Sequence, residues 1–93
     1  MRGVAGWHCY ILECADGTLY TGITNDLAKR LQAHNRGIAS KYTRSRLPVR
    51  LLFAEDCEDR ADASRREVQI KRLPRAAKLA LTTAGHPGLP PVD

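Results

Sequence analysis

Tyr10 and Tyr20 stand ten residues apart, Arg30 follows ten residues after Tyr20, and His34 four after Arg30. Glu67 comes much later, in the segment SRREVQIKRL. Together these five side chains suffice for metal-assisted hydrolysis of a phosphodiester. A single carboxylate holds Mg²⁺ or Mn²⁺ when water and substrate phosphate complete the shell. An arginine grips a phosphodiester with two parallel hydrogen bonds. A tyrosine beside a cation has its phenol pKa lowered from about 10, toward the range where it deprotonates water. A histidine relays the proton at neutral pH. The set lacks the paired carboxylates of a two-metal site.

Three of the five sit where the hydrophobic pattern calls for apolar residues. Arg30 and His34 are one turn apart on the helical face that carries Leu27 and Leu31. Glu67 lies in the row Ala63–Glu67–Ile70, the apolar row of a later helix. An unpartnered buried carboxylate is expensive. Structural explanations are that Arg30 and Glu67 pair with each other, or sit at the margin of the stripe. Arg66 lies near the same stripe and can snorkel outward. Taken singly, each polar group is more often structural than functional. Taken with two tyrosines on one hairpin face, they point to a shared cleft.

The elements that must position these groups follow from local signals. Residues 7–14 (WHCYILEC) and 19–24 (LYTGIT) read as strands joined by the turn Ala15-Asp16-Gly17-Thr18. A two-residue type I′ turn at Asp16-Gly17 would pair Ala15 with Thr18 and put Tyr10 and Tyr20 on opposite faces. A three-residue loop closed by Gly17 would pair Cys14 with Thr18, set Tyr20 opposite Leu12, and put both tyrosines on one face. Alanine is comfortable at the first position of a type I turn, which favours the second register. Asn25 reads as an N-cap, with Asp26 at the positive end of a helix that runs to about Asn35, and Gly37 marks its C-cap region. Residues 36–48 read as a basic loop and 49–54 (VRLLFA) as a third strand. Asp59 caps a helix from Arg60 to about Leu73, with Asp62 in capping-box position. Pro74 opens a further helix to about Thr83.

The 93 residues allow one domain, over 7–83, between an N-terminal extension (1–6) and a mobile Pro/Gly-rich tail (84–93). The fold class expected is α+β. No apolar run reaches the ~18 residues of a membrane span, and residues 1–6 lack the apolar core of a signal peptide, so a cytoplasmic protein is expected. The oligomeric state stays open; a monomer satisfies the sequence. Cys9, Cys14 and Cys57 read as small buried hydrophobes in a reducing compartment. A zinc site built from them and His8 would lack the paired short spacing of zinc fingers.

The net charge of +5 is unevenly placed. Residues 41–54 carry +4, residues 55–59 carry −4, and residues 60–78 carry +5. Eleven of the fifteen basic residues are arginines, whose planar fork suits phosphate. The basic loop and the later helix therefore form the footprint for a polyanion, with Lys41, Arg44, Arg46 and Lys71 as its nucleic-acid contacts.

These residues carry a resemblance. His8-Cys9-Tyr10 stands where a GIY-YIG nuclease domain has Gly-Ile-Tyr, and Tyr20-Thr21-Gly22 where it has Tyr-Ile-Gly. With Arg30, His34 and Glu67 in order, and the stretches YTGITNDLAKRLQAHN and KYTRSRLPVRLLFAEDCEDR, the chain resembles the small stand-alone bacterial (UPF0213-like) members over residues 7–83. The resemblance implies a three-stranded antiparallel sheet flanked by helices, with the site on one sheet face. It implies a metal-dependent DNA endonuclease, in repair or on structured DNA, using one Mg²⁺ or Mn²⁺ ion. Tyr10 would be the general base or its close assistant, and Tyr20 would orient water or phosphate. Arg30 would grip the scissile phosphate, His34 would assist proton transfer, and Glu67 would hold the metal. Asn25, Lys71 and Thr43 would support them. The chain departs from the family in lacking the first motif's glycine and any asparagine after Asn35. A non-catalytic nucleic-acid-binding module that retains the fold is the alternative, and RNA the alternative substrate.

Overall fold

A computed structural model describes residues 6–83. The expected tail (84–93) and nearly all of the expected N-terminal extension lie outside the described residues. Three strands, β1 (Trp7–Glu13), β2 (Leu19–Thr24) and β3 (Arg50–Cys57), form one antiparallel sheet in the order β2-β1-β3. Four helices accompany it: α1 (Leu27–Asn35), α2 (Lys41–Arg44), α3 (Arg60–Lys71) and α4 (Arg75–Thr83).

The hairpin adopts the three-residue register. The Cys14 N–H donates to the Thr18 carbonyl at 2.8 Å, and the Gly17 N–H to Cys14 at 2.9 Å. Gly17 has φ 84°, a conformation that a Cβ would disfavour. Tyr20 lies opposite Leu12 and Gly22 opposite Tyr10, so the two tyrosines share a face. On β3 the register slips between Ile11 and Leu12, whose partners are Phe53 and Leu51. Leu52 is the extra residue of a β-bulge, and it packs on the same side as Phe53.

The sheet separates two apolar clusters. One holds Cys9, Ile11, Leu52, Phe53 and Cys57 against Ala63 and Ile70 of α3, with Leu79 and Leu81 of α4. The other holds Tyr10, Leu12, Cys14, Val49 and Ala54 against Leu27 and Leu31 of α1. All three cysteines are buried free thiols, with Cys14 on the face opposite Cys9 and Cys57. Burial and the neighbouring Cys57 push the Cys9 thiol up to about 12, so it is protonated at neutral pH.

Helix ends follow sequence signals with two corrections. Asp26, not Asn25, caps α1, its carboxylate accepting from the Lys29 N–H at 3.1 Å. The 36–48 segment is not all loop: Ser40 accepts from the Tyr42 and Thr43 N–H groups and starts the one-turn α2. Asp59 caps α3 through the Asp62 N–H at 2.8 Å, and Asp62 accepts in return from the Glu58 N–H at 3.1 Å. α1 closes in a Schellman motif, Gly37 N–H to His34 and Ile38 N–H to Ala33, which ends the helix just past His34. The Asn35 amide then binds the Val49 backbone twice, at 2.8 and 3.1 Å, tying α1 to the chain entering β3.

Candidate active site

Tyr10, from the central strand, and His34, from the last turn of α1, meet between sheet and helix. Tyr10 is 2% exposed and His34 is fully buried. Tyr10 Oη lies 2.9 Å from His34 Nε2, and His34 Nδ1 lies 2.9 Å from Thr43 Oγ1 of α2. Thr43, also fully buried, has the Ser40 carbonyl 3.4 Å from its hydroxyl. Tyr20 presents its ring to His34 at 5.1 Å between centroids and to Tyr10 at 6.5 Å. Tyr42 extends the cluster outward, stacked on Tyr20 at 6.0 Å, with the Arg46 guanidinium 4.0 Å above its ring.

Gly22 makes this packing possible. A Cβ there would lie 2.6 Å from Tyr10 Oη, 2.7 Å from its Cζ and 3.1 Å from Tyr20 Cε2. The Tyr10 ring passes over the space that any other residue would fill, and so reaches His34.

Electrostatics hold the buried pair neutral. Burial, then the neighbouring Tyr20, push the Tyr10 phenol well above its usual range; Arg30 opposes the shift and Glu67 adds to it. Burial, then the Arg30 cation, lower the His34 pKa. The unliganded site therefore does not hold Tyr10 as a phenolate at neutral pH.

The charged members lie around this centre. Arg30 is exposed, at a shallow cleft of about 250 Å³ lined also by Thr24, Asn25, Asp26, Lys29 and Ala33. It does not pair with Glu67, whose partner is Lys71 at 3.4 Å. Ala63 and Ile70 of the Glu67 row are buried as the spacing implies, while the Glu67 side chain is 24% exposed at the margin. α3 packs through Ala63 and Ile70 on the sheet face opposite α1, and the Glu67 charge acts on both Cys9 and Tyr10. Arg66 binds Glu55 through Nε at 3.0 and 3.2 Å. Lys41 and Arg44 are exposed on α2. Arg46 differs: it binds Asp16 at 3.0 Å and the Tyr42 carbonyl at 2.8 Å, and so ties α2 to the hairpin turn. The Thr18 hydrogen bonds, with Arg46 assisting, hold the Asp16 carboxyl below its usual range.

Residues 6–80 match the family model described as the GIY-YIG catalytic domain. The chain belongs to the GIY-YIG family. A UPF0213 protein of Xanthomonas axonopodis pv. citri is 52% identical over 80 residues, covering 86% of this chain and 78% of its relative. A UPF0213 protein of Desulfotalea psychrophila is 49% identical over 83 residues, covering 88% and 76%. The solution NMR structure of a UPF0213 protein from Bacillus halodurans matches at TM-score 0.56 and 37% identity over 89% of this chain and 88% of that one. A second NMR structure, of an E. faecalis protein, matches at 0.58 and 33%, covering 90% and 91%.

The GIY-YIG domain is a nuclease fold, which implies a nucleic-acid substrate, and nucleases built on it generally use a divalent metal. Glu67 suits such an ion. Its carboxylate is partly exposed, Oε2 faces only Lys71, and Oε1 has no hydrogen bond or ion pair among the described residues. Among the described residues no three His, Cys, Asp or Glu groups converge, so water and substrate phosphate would supply the rest of a Mg²⁺ or Mn²⁺ shell. No helix among the described residues is long and apolar enough to cross a membrane.

Neither Gly22 nor Asn35 stands among the residues the sequence singles out for chemistry. The signal for Gly22 was its place opposite Tyr10 once the hairpin register was chosen. For Asn35 no sequence signal distinguishes a side chain that pairs with Val49 from an ordinary helix end.

Proposed function

We propose that this chain is a divalent-metal-dependent endonuclease that hydrolyses DNA phosphodiester bonds, on structured DNA such as repair intermediates. One observation carries the reading: the buried 2.9 Å bond between Tyr10 Oη and His34 Nε2 within a GIY-YIG catalytic domain. A phenol held above its usual range does not act as a free phenolate near pH 7. Tyr10 therefore takes the proton of the attacking water as it passes its own to His34. Arg30 binds the scissile phosphate, and its exposure leaves the guanidinium open to do so. Tyr20 orients the water or phosphate beside it. Glu67 holds one Mg²⁺ or Mn²⁺, which when bound supplies Lewis acidity at the phosphoryl oxygen. Neutralising Glu67 also removes one of the charges that raise the Tyr10 phenol. Lys41, Arg44 and Lys71 contact flanking phosphates, with Arg46 bracing their platform.

The test is cleavage of supercoiled plasmid and branched DNA with Mg²⁺, Mn²⁺ or EDTA. Wild type nicks DNA with metal and not with EDTA. Tyr10→Phe loses on the order of 10²–10⁴ in rate, the range of general acid–base contributions, and Glu67→Ala loses the metal-dependent nicking, while both still bind DNA. Binding without nicking under every metal condition overturns the enzyme reading in favour of a binding module. Nicking that survives Glu67→Ala overturns the assignment of the site.

A further inference from the structure

His34 has both ring nitrogens engaged, Nε2 with Tyr10 and Nδ1 with Thr43, each at 2.9 Å. A neutral imidazole carries one proton, and the hydrogen bond at one nitrogen decides which form is present. Suppose Nε2 carries it. Then Thr43 donates to Nδ1, Nε2 donates to Tyr10 Oη, and the phenol's own proton has no acceptor among the described residues in a side chain that is almost wholly buried. Suppose instead that Nδ1 carries it. The imidazole then donates to Thr43 Oγ1, Thr43 donates to the Ser40 carbonyl at 3.4 Å, and Tyr10 donates to Nε2. Every proton then has an acceptor, and the cost of an unsatisfied buried donor is avoided.

We propose that Thr43 is a positioning residue that holds His34 in the Nδ1–H form, so that Nε2 faces Tyr10 as a ready proton acceptor. The inference rests on the reading that His34 takes the Tyr10 proton. Thr43 touches neither substrate nor metal; it acts through the imidazole. Its seat is prepared by the chain: Ser40 caps the single turn of α2, and that turn buries Thr43 while leaving Lys41 and Arg44 outside. When the Tyr10 O–H breaks and N–H forms at Nε2, the other proton stays on Nδ1, donated in a hydrogen bond to Thr43 Oγ1. No second rearrangement is then needed to accommodate the imidazolium.

The test uses the full chain labelled with ¹⁵N-histidine, with the three histidines assigned by replacing His8 and His86 in turn. Two-bond ¹H–¹⁵N correlation spectra above neutral pH read the tautomer directly. His34 shows the Nδ1–H pattern in wild type and in Thr43→Ser, which keeps the hydroxyl. Thr43→Val, which keeps shape and loses the hydroxyl, shifts His34 toward Nε2–H. Nicking falls about 10–100-fold in Thr43→Val, the scale seen when a partner that orients a histidine is lost, and Thr43→Ser recovers most of it. A wild-type spectrum with Nε2–H overturns the proposal, as does Thr43→Val with an unchanged tautomer and full nicking. If Thr43→Val fails to fold, the wild-type and Thr43→Ser spectra still decide. A wild type that nicks nothing refutes the nuclease reading, while the tautomer measurement still judges the clamp.

Discussion

The centre and the rim of this site are built on opposite physical terms. At the centre, Tyr10, His34 and Thr43 are buried, uncharged and hydrogen-bonded in series. At the rim, Arg30, Lys41, Arg44 and Lys71 are exposed and charged. Part of the acidic stretch 55–59, which would weaken such a rim, is occupied elsewhere: Glu55 by Arg66 and Asp59 by the α3 N-terminus. On the proposed reading, the difference lets one small domain combine two tasks. The proposed proton relay from Tyr10 to His34 depends on fixed geometry, so its residues are also core residues and belong to the stability of the fold. Phosphate binding depends on exposed charge, so its residues can change with little effect on folding.

The sharpest way to break that coupling is Gly22→Ala. Its methyl would meet Tyr10 Oη at 2.6 Å, and Tyr10 cannot swing away without leaving His34. Overpacking of this kind costs about 1–3 kcal/mol. Urea unfolding should show that loss, and nicking should fall at least about 100-fold, because misplacing a reacting group by about 1 Å costs that much. A variant as stable and as active as wild type would show that Tyr10 makes room for the methyl without disturbing the centre.

Such coupling is only partly legible in sequence. The strands, the hairpin register and three of the helices follow from alternation, turn chemistry and caps, because each signal is local. The two tyrosines could be placed on one face because parity along a hairpin is fixed once the loop length is chosen. The short α2 is not legible because a single turn leaves no periodicity, only its Ser40 cap. The partner of Glu67 follows from local spacing: Lys71 stands four residues on in the same helix, the separation of an intrahelical ion pair, while α3 packs on the face away from α1 and its Arg30. The bulge at Leu52 reverses the parity of β3, and no residue type there announces it. The burial of the Tyr10 phenol also changes the chemistry expected of it, from a base lowered by a nearby cation to an acid that needs His34 to relieve it.

A change of pH separates the two regions with a smaller effect. His34 has its folded-state pKa lowered, first by burial and then by Arg30. Below the unfolded histidine value of about 6.5, the unfolded chain binds a proton that the folded chain resists. Stability from this group is therefore complete above about pH 6.5 and is lost as pH falls from there toward the lower folded value. Urea midpoints measured from pH 7.5 to 5.5 should decline in wild type. His34→Gln, less stable throughout, should show a flatter profile over the same window. Equal slopes in the two proteins would mean that His34 takes up its proton as readily folded as unfolded.

The smallest effects belong to the rim, and they should appear in binding rather than in folding. Lys41 and Arg44 are exposed, and neither has an ion pair among the described residues. Replacing either with alanine should change stability by no more than about 0.5 kcal/mol. If each neutralises one duplex phosphate, each replacement should reduce the slope of log affinity against log salt by about 0.9. Arg46→Ala is the contrast within the same turn of chain. It removes the Asp16 bridge and the cation over Tyr42, so it should cost folding stability and loosen the Tyr20–Tyr42 stack beside the buried centre. Urea melts and salt titrations of all three variants, run side by side, would sort them. A salt slope unchanged by Lys41→Ala and Arg44→Ala would remove α2 from the DNA path and leave Arg30 and Lys71 as the contacts to examine.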